Sequence, residues 1–168
     1  VLMLIKEPKD DRRAAKQRRF FKNLGCEIMD VRRSDTGTVA RKILKALKQG
    51  KFIIGTSDRL REAPIIESGY NKYQDNVRVE VYGHLVGIVG WPARFADKFK
   101  VPLIPVVPQY QETNIQLHLG ESIEAKGDLV SDTQAWISGL LTLLKSYPQD
   151  WMFAYDKYWA AVFKGKPL

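Results

Sequence analysis

The residues of this 168-residue chain that could do more than pack are few: two histidines, one cysteine, and an acid–base pair after an apolar run. That pair, Asp58 and Arg59, follows KFIIGTS, and open α/β sheets gather ligands beyond the carboxyl ends of such strands. Arg59 there could hold an anionic head group, or the two residues could form a salt-bridged loop pair. His84 follows Gly83 at a strand end and could approach the same cleft, although a lone histidine is more often hydrogen-bonded or exposed. His118, in QLHLG, reads as an edge-strand residue. Cys26 opens a strand with no histidine beside it and reads as packing. Gly83, Gly87 and Gly90 match neither phosphate-loop pattern. No cluster has metal-ligand spacing, so neither a metal nor a cofactor is expected. Pro102, Pro105 and Pro108 lie along one apolar run and point to an edge or end position.

A second kind of chemistry is suggested by SYPQDWMFAYDKYW, residues Ser146 to Trp159. Trp151, Phe153, Tyr155, Tyr158 and Trp159 fall within nine residues, and several of these rings carry a polar tip. Such rings suit a boundary between apolar matter and water, at a pocket mouth or a membrane surface. Taken alone, the stretch reads first as a C-terminal helix that closes the core.

Charge adds a third signal. The net charge is +8, but residues 1–51 hold 15 of the 27 Lys and Arg and only 6 of the 19 acids, a net of +9. The remainder is close to neutral. A basic face so local attracts something anionic, whether nucleic acid, lipid head groups or an acidic protein. Lys16, Arg19, Lys42 and Lys45 are the residues expected to form it; a solvated pair of helices is the plainer reading. Nucleic acid is not expected, because no recognition motif accompanies the basic helices. The single cysteine fits a reducing compartment. No apolar run approaches the roughly 20 residues that span a bilayer, and no signal peptide is visible.

These residues must be positioned by regular elements. VLMLI reads as a buried strand, and Asp10–Leu24 as a helix with acids at its start and Gly25 at its end. CEIMDV is a second strand, Thr36–Gln49 a second helix ended by Gly50, and KFIIGTSD a third strand running into a loop. Strand–helix–strand–helix–strand at this spacing predicts parallel pairing. Arg59–Asn76 has weak periodicity and reads as a long loop. Val77–Gly83 alternates as a strand should, HLVGIVG continues into a Gly-punctuated turn, and Trp91–Lys100 is a short helix with Pro92 in its first turn. VPLIPVVPQY reads as another buried strand, NIQLHLGESI as an antiparallel edge, and Asp132 begins the final helical region. The expected fold class is α/β, with a mostly parallel central sheet flanked by helices, in one domain over residues 1–168. Because the first residues already read as a strand and begin with Val1, that domain is expected to be the C-terminal portion of a longer protein.

Three stretches, in this order, carry a resemblance. ARKILKALKQGKFIIGTSDR, VEVYGHLVGIVGWPARFADKFKVPLIPVVP and TQAWISGLLTLLKSYPQDWMFAYDKYW are similar to stretches of the bacterial lipid A biosynthesis acyltransferases. Their broader relatives are the glycerolipid acyltransferases. The resemblance covers Val1 to about Trp159 and implies transfer of a fatty acyl group from a thioester donor, acyl carrier protein or CoA, to a lipid or glycolipid hydroxyl. It implies a substrate site including Asp58, Arg59, Gly83, His84 and Trp91, the last from a helix lying over the site. It also implies a peripheral or monotopic position at the cytoplasmic face of the bacterial inner membrane.

The family's chemistry rests on His-x4-Asp or His-x4-Glu, in which imidazole takes the acceptor's proton and the carboxylate orients it. Here the residues at that spacing from His84 and His118 are Val89 and Ile123, so the pair is expected ahead of Val1. The tail departs as well, with Asp156 and Lys157 where the family commonly has two basic residues. Two readings follow: an acyltransferase whose base and acid lie upstream, or a non-catalytic relative that binds lipid or protein.

Overall fold

The computed structural model describes residues 1–112, 114–148 and 156–165. Trp151, Phe153 and Tyr155 of the aromatic run lie outside the described residues. The chain forms two compact units, Val1–Thr56 and Ser57–Leu168. It is a mixed α/β protein with five helices among the described residues.

The first unit is the alternating pattern expected from sequence. Strands β1 (Leu2–Ile5), β2 (Glu27–Asp30) and β3 (Ile53–Gly55) pair in parallel in the order β2-β1-β3, joined by helices α1 (Asp11–Asn23) and α2 (Thr36–Lys48). Local chemistry sets each boundary. Asp10 caps α1 by accepting the Arg13 N–H at 2.8 Å, and Asp35 caps α2 by accepting the Thr38 N–H at 2.9 Å. Gly25 and Gly50 follow the helix ends at φ 70° and 68°, a left-handed backbone that glycine adopts without strain. Leu2, Leu4, Ala14, Met29, Ile43 and Ala46 are buried.

The second unit departs from the sequence reading. Its larger sheet is antiparallel, in the order β4-β7-β6-β5, built from β4 (Arg61–Glu62), β5 (Tyr70–Asn71), β6 (Asn76–Val81) and β7 (His84–Val89). The expectation of a mostly parallel central sheet is therefore corrected: parallel pairing is confined to three short strands. The reason is a two-residue turn. Tyr82 and Gly83 both take positive φ, 50° and 79°, which reverses the chain with the twist that hairpins require. HLVGIVG is consequently a strand and not a turn. Its internal Gly87 is a packing glycine, because a Cβ there would meet the Glu62 carbonyl oxygen at 2.4 Å and Asn76 Oδ1 at 2.3 Å.

Helix α3 (Trp91–Phe99) follows β7, and β8 (Val106–Gln111) and β9 (Asn114–Leu119) form a separate hairpin. β9 is antiparallel, as expected. VPLIPVVPQY is corrected on two counts: only Val106–Gln111 is a strand, and most of it is exposed. Leu103 instead makes a lone antiparallel bridge to Ile123. Helix α4 (Leu129–Ser146), capped by Asp128, packs on β6, α3 and β8. Its Trp136, Ile137, Leu140 and Leu144 join Leu60, Val77, Val79, Val81, Val86 and Ile88 in one core. Trp159 and Val162 of α5 (Lys157–Phe163) complete it.

Two predictions follow from this packing. Gly87→Ala should destabilise the protein by about 1–3 kcal/mol, read by urea unfolding, because the close neighbour is backbone and cannot swing aside. Asp35 is held below its ordinary value of 3.8, first by the Thr38 hydroxyl and then by the Thr38 N–H. A carboxyl group depressed in this way stabilises the fold above its unfolded value and loses that contribution as pH falls through the folded one. Asp35→Ala should therefore be less stable than the parent at pH 7, with the gap closing below about pH 3.8.

Candidate functional site

In the first unit, the sequence-predicted cations lie on the two helices. Lys16, Arg19 and Lys45 are exposed and take part in no ion pair among the described residues. Arg12, Arg13 and Lys22 of α1 and Lys48 of α2 are likewise exposed and unpaired among the described residues. Lys42 is different. It is half-buried, and its ammonium donates to the Ile28 carbonyl at 3.0 Å, which ties α2 to β2. It acts as a clamp rather than as part of an open charged surface.

The carboxyl end of the parallel sheet, where ligands gather in open α/β folds, is occupied by the unit's own ion pairs. Glu7, just past β1, is 3% exposed and pairs with Arg18. Asp30, at the end of β2, accepts the Glu7 and Arg32 N–H groups at 3.3 and 2.9 Å. Arg33 reaches both Asp11, at 3.1 Å, and Asp30, at 3.6 Å. At the opposite, amino end of the sheet, Lys51 binds Glu27, whose carboxyl is held below its ordinary value by that bond and by the lysine's charge. Paired cations are thus separated from the unpaired ones; with the order β2-β1-β3 and right-handed crossovers α1 and α2 flank opposite faces of the sheet, so the unpaired cations form a basic face on each helix.

In the second unit, Asp58 is half-buried and Arg59 exposed, in the segment leading to the fully buried Leu60. The Asp58 carbonyl accepts the indole N–H of Trp159 at 2.7 Å, across 101 residues of chain. Trp159 is 1% exposed, so its ring belongs to the core, as the plainer reading of the aromatic run holds. Its position is set by Asp156, which caps α5 by accepting the Tyr158 and Trp159 N–H groups at 2.9 and 3.2 Å. The stacked contact of Trp159 with Phe163 and the tilted contact of Phe163 with Tyr82 extend this packing to the β6–β7 turn.

Gly83 is exposed and serves as the second residue of that turn. His84 is half-buried at the first position of β7, paired in register with Val81. Trp91 lies past the opposite end of β7. At about 3.4 Å per residue, the strand separates His84 from Trp91 by roughly 20 Å. The structure therefore does not gather these two residues around one reacting atom. His118 stacks on Tyr147 with centroids 3.6 Å apart and meets Gln109 Oε1 at 2.8 Å, which fastens the β8–β9 hairpin to the end of α4. Among the described residues no histidine is hydrogen-bonded to a carboxylate, and no group of three His, Cys, Asp or Glu could hold a metal ion. No helix among them is long and apolar enough to cross a membrane.

One arrangement escaped the sequence reading. Asp75, at φ 47°, accepts the Trp91 N–H at 3.1 Å through one carboxylate oxygen and pairs with Arg94 at 2.7 Å through the other. The guanidinium of Arg94 lies 5.9 Å from the centre of the Tyr70 ring, and burial pushes the Tyr70 hydroxyl pKa up. This cluster caps α3 from outside the helix, a task the helix's own Gly90 has no side chain to perform. Both carboxylate oxygens are engaged in holding the first turn of α3. Only the turn-like KYQDN ahead of β6 could have signalled it.

No protein-family model matches the chain, and no curated protein is significantly similar to it.

The Trp159–Asp58 bond is open to a direct test. Trp159→Phe keeps most of the ring's volume and removes the N–H donor, leaving a core-side carbonyl without that partner. The loss should be about 1–3 kcal/mol of stability. Proteolysis within Ser57–Arg59 should accelerate in parallel, and an unchanged cleavage rate would show that the bond does not hold this segment.

Proposed function

We propose that this chain is part of an acyltransferase of the lipid A or glycerolipid type, which moves a fatty acyl group from a thioester to a lipid or glycolipid hydroxyl. The observation that carries the reading is the order and spacing of the three stretches with that family's character, Ala40–Arg59, Val79–Pro108 and Thr133–Trp159. The bond between Trp159 and Asp58 joins the tail stretch to the segment after β3 inside the core, so the Trp159 ring itself does not border the acyl chain in this reading. In this reading the loop around Asp58 and Arg59 borders the acceptor site. The exposed cations of α1 and α2, Lys16, Arg19 and Lys45 among them, receive an acidic acyl carrier protein or an anionic membrane surface and raise the rate of encounter. The chemistry is direct attack: a histidine of a His-x4-Asp or His-x4-Glu pair ahead of Val1 takes the hydroxyl proton, the oxygen attacks the thioester carbonyl, and the thiolate leaves. The position proposed is the cytoplasmic face of the bacterial inner membrane, peripheral or monotopic.

A second reading has its own observation. His84 and His118 lack an acid at the required spacing, and His118 is committed to Gln109 and Tyr147. A relative that binds lipid or acyl carrier protein without turnover would look the same in these residues.

The test is an acyl-transfer assay on the full-length natural protein, with acyl carrier protein and CoA thioesters as donors and lysophospholipid and lipid A precursor as acceptors. Acylated product supports the enzyme reading. Donor binding without product supports the second, and binding of neither donor nor lipid overturns both. Charge reversal at Lys16, Arg19 and Lys45 together should weaken carrier or vesicle binding at low salt by about tenfold or more. Lys42 is left intact because its reversal would also break the bond to Ile28.

A further inference from the structure

The β8–β9 hairpin has an unusual outer face. Its register places Val106 opposite Leu119, Pro108 opposite Leu117 and Tyr110 opposite Ile115. Directly opposed residues share a face, and the period of two puts all three pairs on the same one. The other face looks inward: Val107 is buried in the core, and His118 rests on Tyr147. The outer ladder is left to solvent, with Tyr110 63%, Ile115 60%, Leu117 58% and Leu119 65% exposed. Val106, Pro108 and, just upstream, Ile104 are exposed beside them. Neither strand contains a single charged residue.

An apolar strip of this extent is on the order of several hundred Å², as large as the largest patch on a typical monomer. We propose that it is an interface with a second copy of this chain, the two hairpins packing ladder on ladder about a two-fold axis. Two such strips laid together would remove about 1,000 Å² from water, the area at which specific interfaces begin. The patch is self-complementary, as a two-fold interface requires, because branched aliphatic residues at alternate positions can interdigitate with their own copies. The charges around the strip argue against a lipid occupant. Glu112 follows β8 at the hairpin turn, and Glu121 and Glu124 follow β9, so an anionic leaflet would repel the ends of the strip. Among the described residues the outer edge of β9 is also unpaired in the two-stranded sheet, and its backbone N–H and C=O groups could not be satisfied in hydrocarbon. In a dimer those edges stay at the wet rim.

This inference is independent of the acyl-transfer reading. Sedimentation equilibrium of the full chain across the micromolar range would test it, with Leu117→Glu and the double variant Tyr110→Lys, Ile115→Lys for comparison. The side chains are exposed, so both variants should keep the parent circular dichroism spectrum. The parent should run as a dimer, and each variant should dissociate at about 30-fold lower affinity or worse. A monomeric parent overturns the proposal, as does a dimer that neither variant weakens. Loss of folding in both variants would show that the ladder belongs to the chain's own core and would equally overturn it. Phosphatidylglycerol vesicles provide a last arm: a monomeric parent that floats with them, and stops doing so in Leu117→Glu, would assign the strip to a membrane instead.

Discussion

The second unit depends on closing a core whose two ends are far apart in sequence, and the Trp159 indole is where that closure happens. A large aromatic ring with one polar atom enters an apolar core at least cost when the N–H finds an acceptor, and for Trp159 the acceptor is the Asp58 carbonyl. The same ring is delivered by a helix of only seven residues, which Asp156 has to cap to hold in shape. Around it, α4 lays Trp136, Ile137, Leu140 and Leu144 on the valine-rich inner face of β6 and β7. The segment Ser57–Leu60, the β6–β7 turn and the C-terminal helix are thus positioned by one apolar cluster. The residues proposed to border a substrate inherit their places from that packing.

Electrostatics divides differently. The cations of the first unit fall into two groups according to what lies within reach of the side chain. Arg18, Arg33 and Lys51 find carboxylates and are consumed locally, and Lys42 finds a strand carbonyl. Those on the outer turns of α1 and α2 meet no carboxylate among the described residues. Exposed ion pairs contribute little to stability, so the unpaired set has no evident role in folding. It is the set most free to act over distance, within about 8–10 Å of a partner at physiological salt.

The hairpin β8–β9 shows the limit of alternation as a guide. A run such as VVPQY beside NIQLHL alternates in the way a half-buried strand should, but alternation does not say which face meets the core. Here the smaller inner set of Val107, Gln109 and His118 faces α4, while the larger apolar set faces outward.

What could be read directly from the chain was local. The acids at the start of α1, the stops at Gly25 and Gly50 and the helical stripe of α2 depend on chemistry within a few residues, so the first unit's βαβαβ order was legible, whereas α4 begins at Leu129 behind the cap Asp128 and not at Asp132. The basic bias of residues 1–51 was legible for the same reason. Tertiary structure decided the rest. Whether Gly87 was a turn or a packing site depended on Asn76 and Glu62 standing over it, and whether Trp159 was a boundary ring or a core ring depended on Asp58. Which lysine was open and which was a clamp depended on the carbonyl of Ile28. In each case the deciding partner is distant in sequence, and a pattern of residue types carries no information about it until the chain has closed.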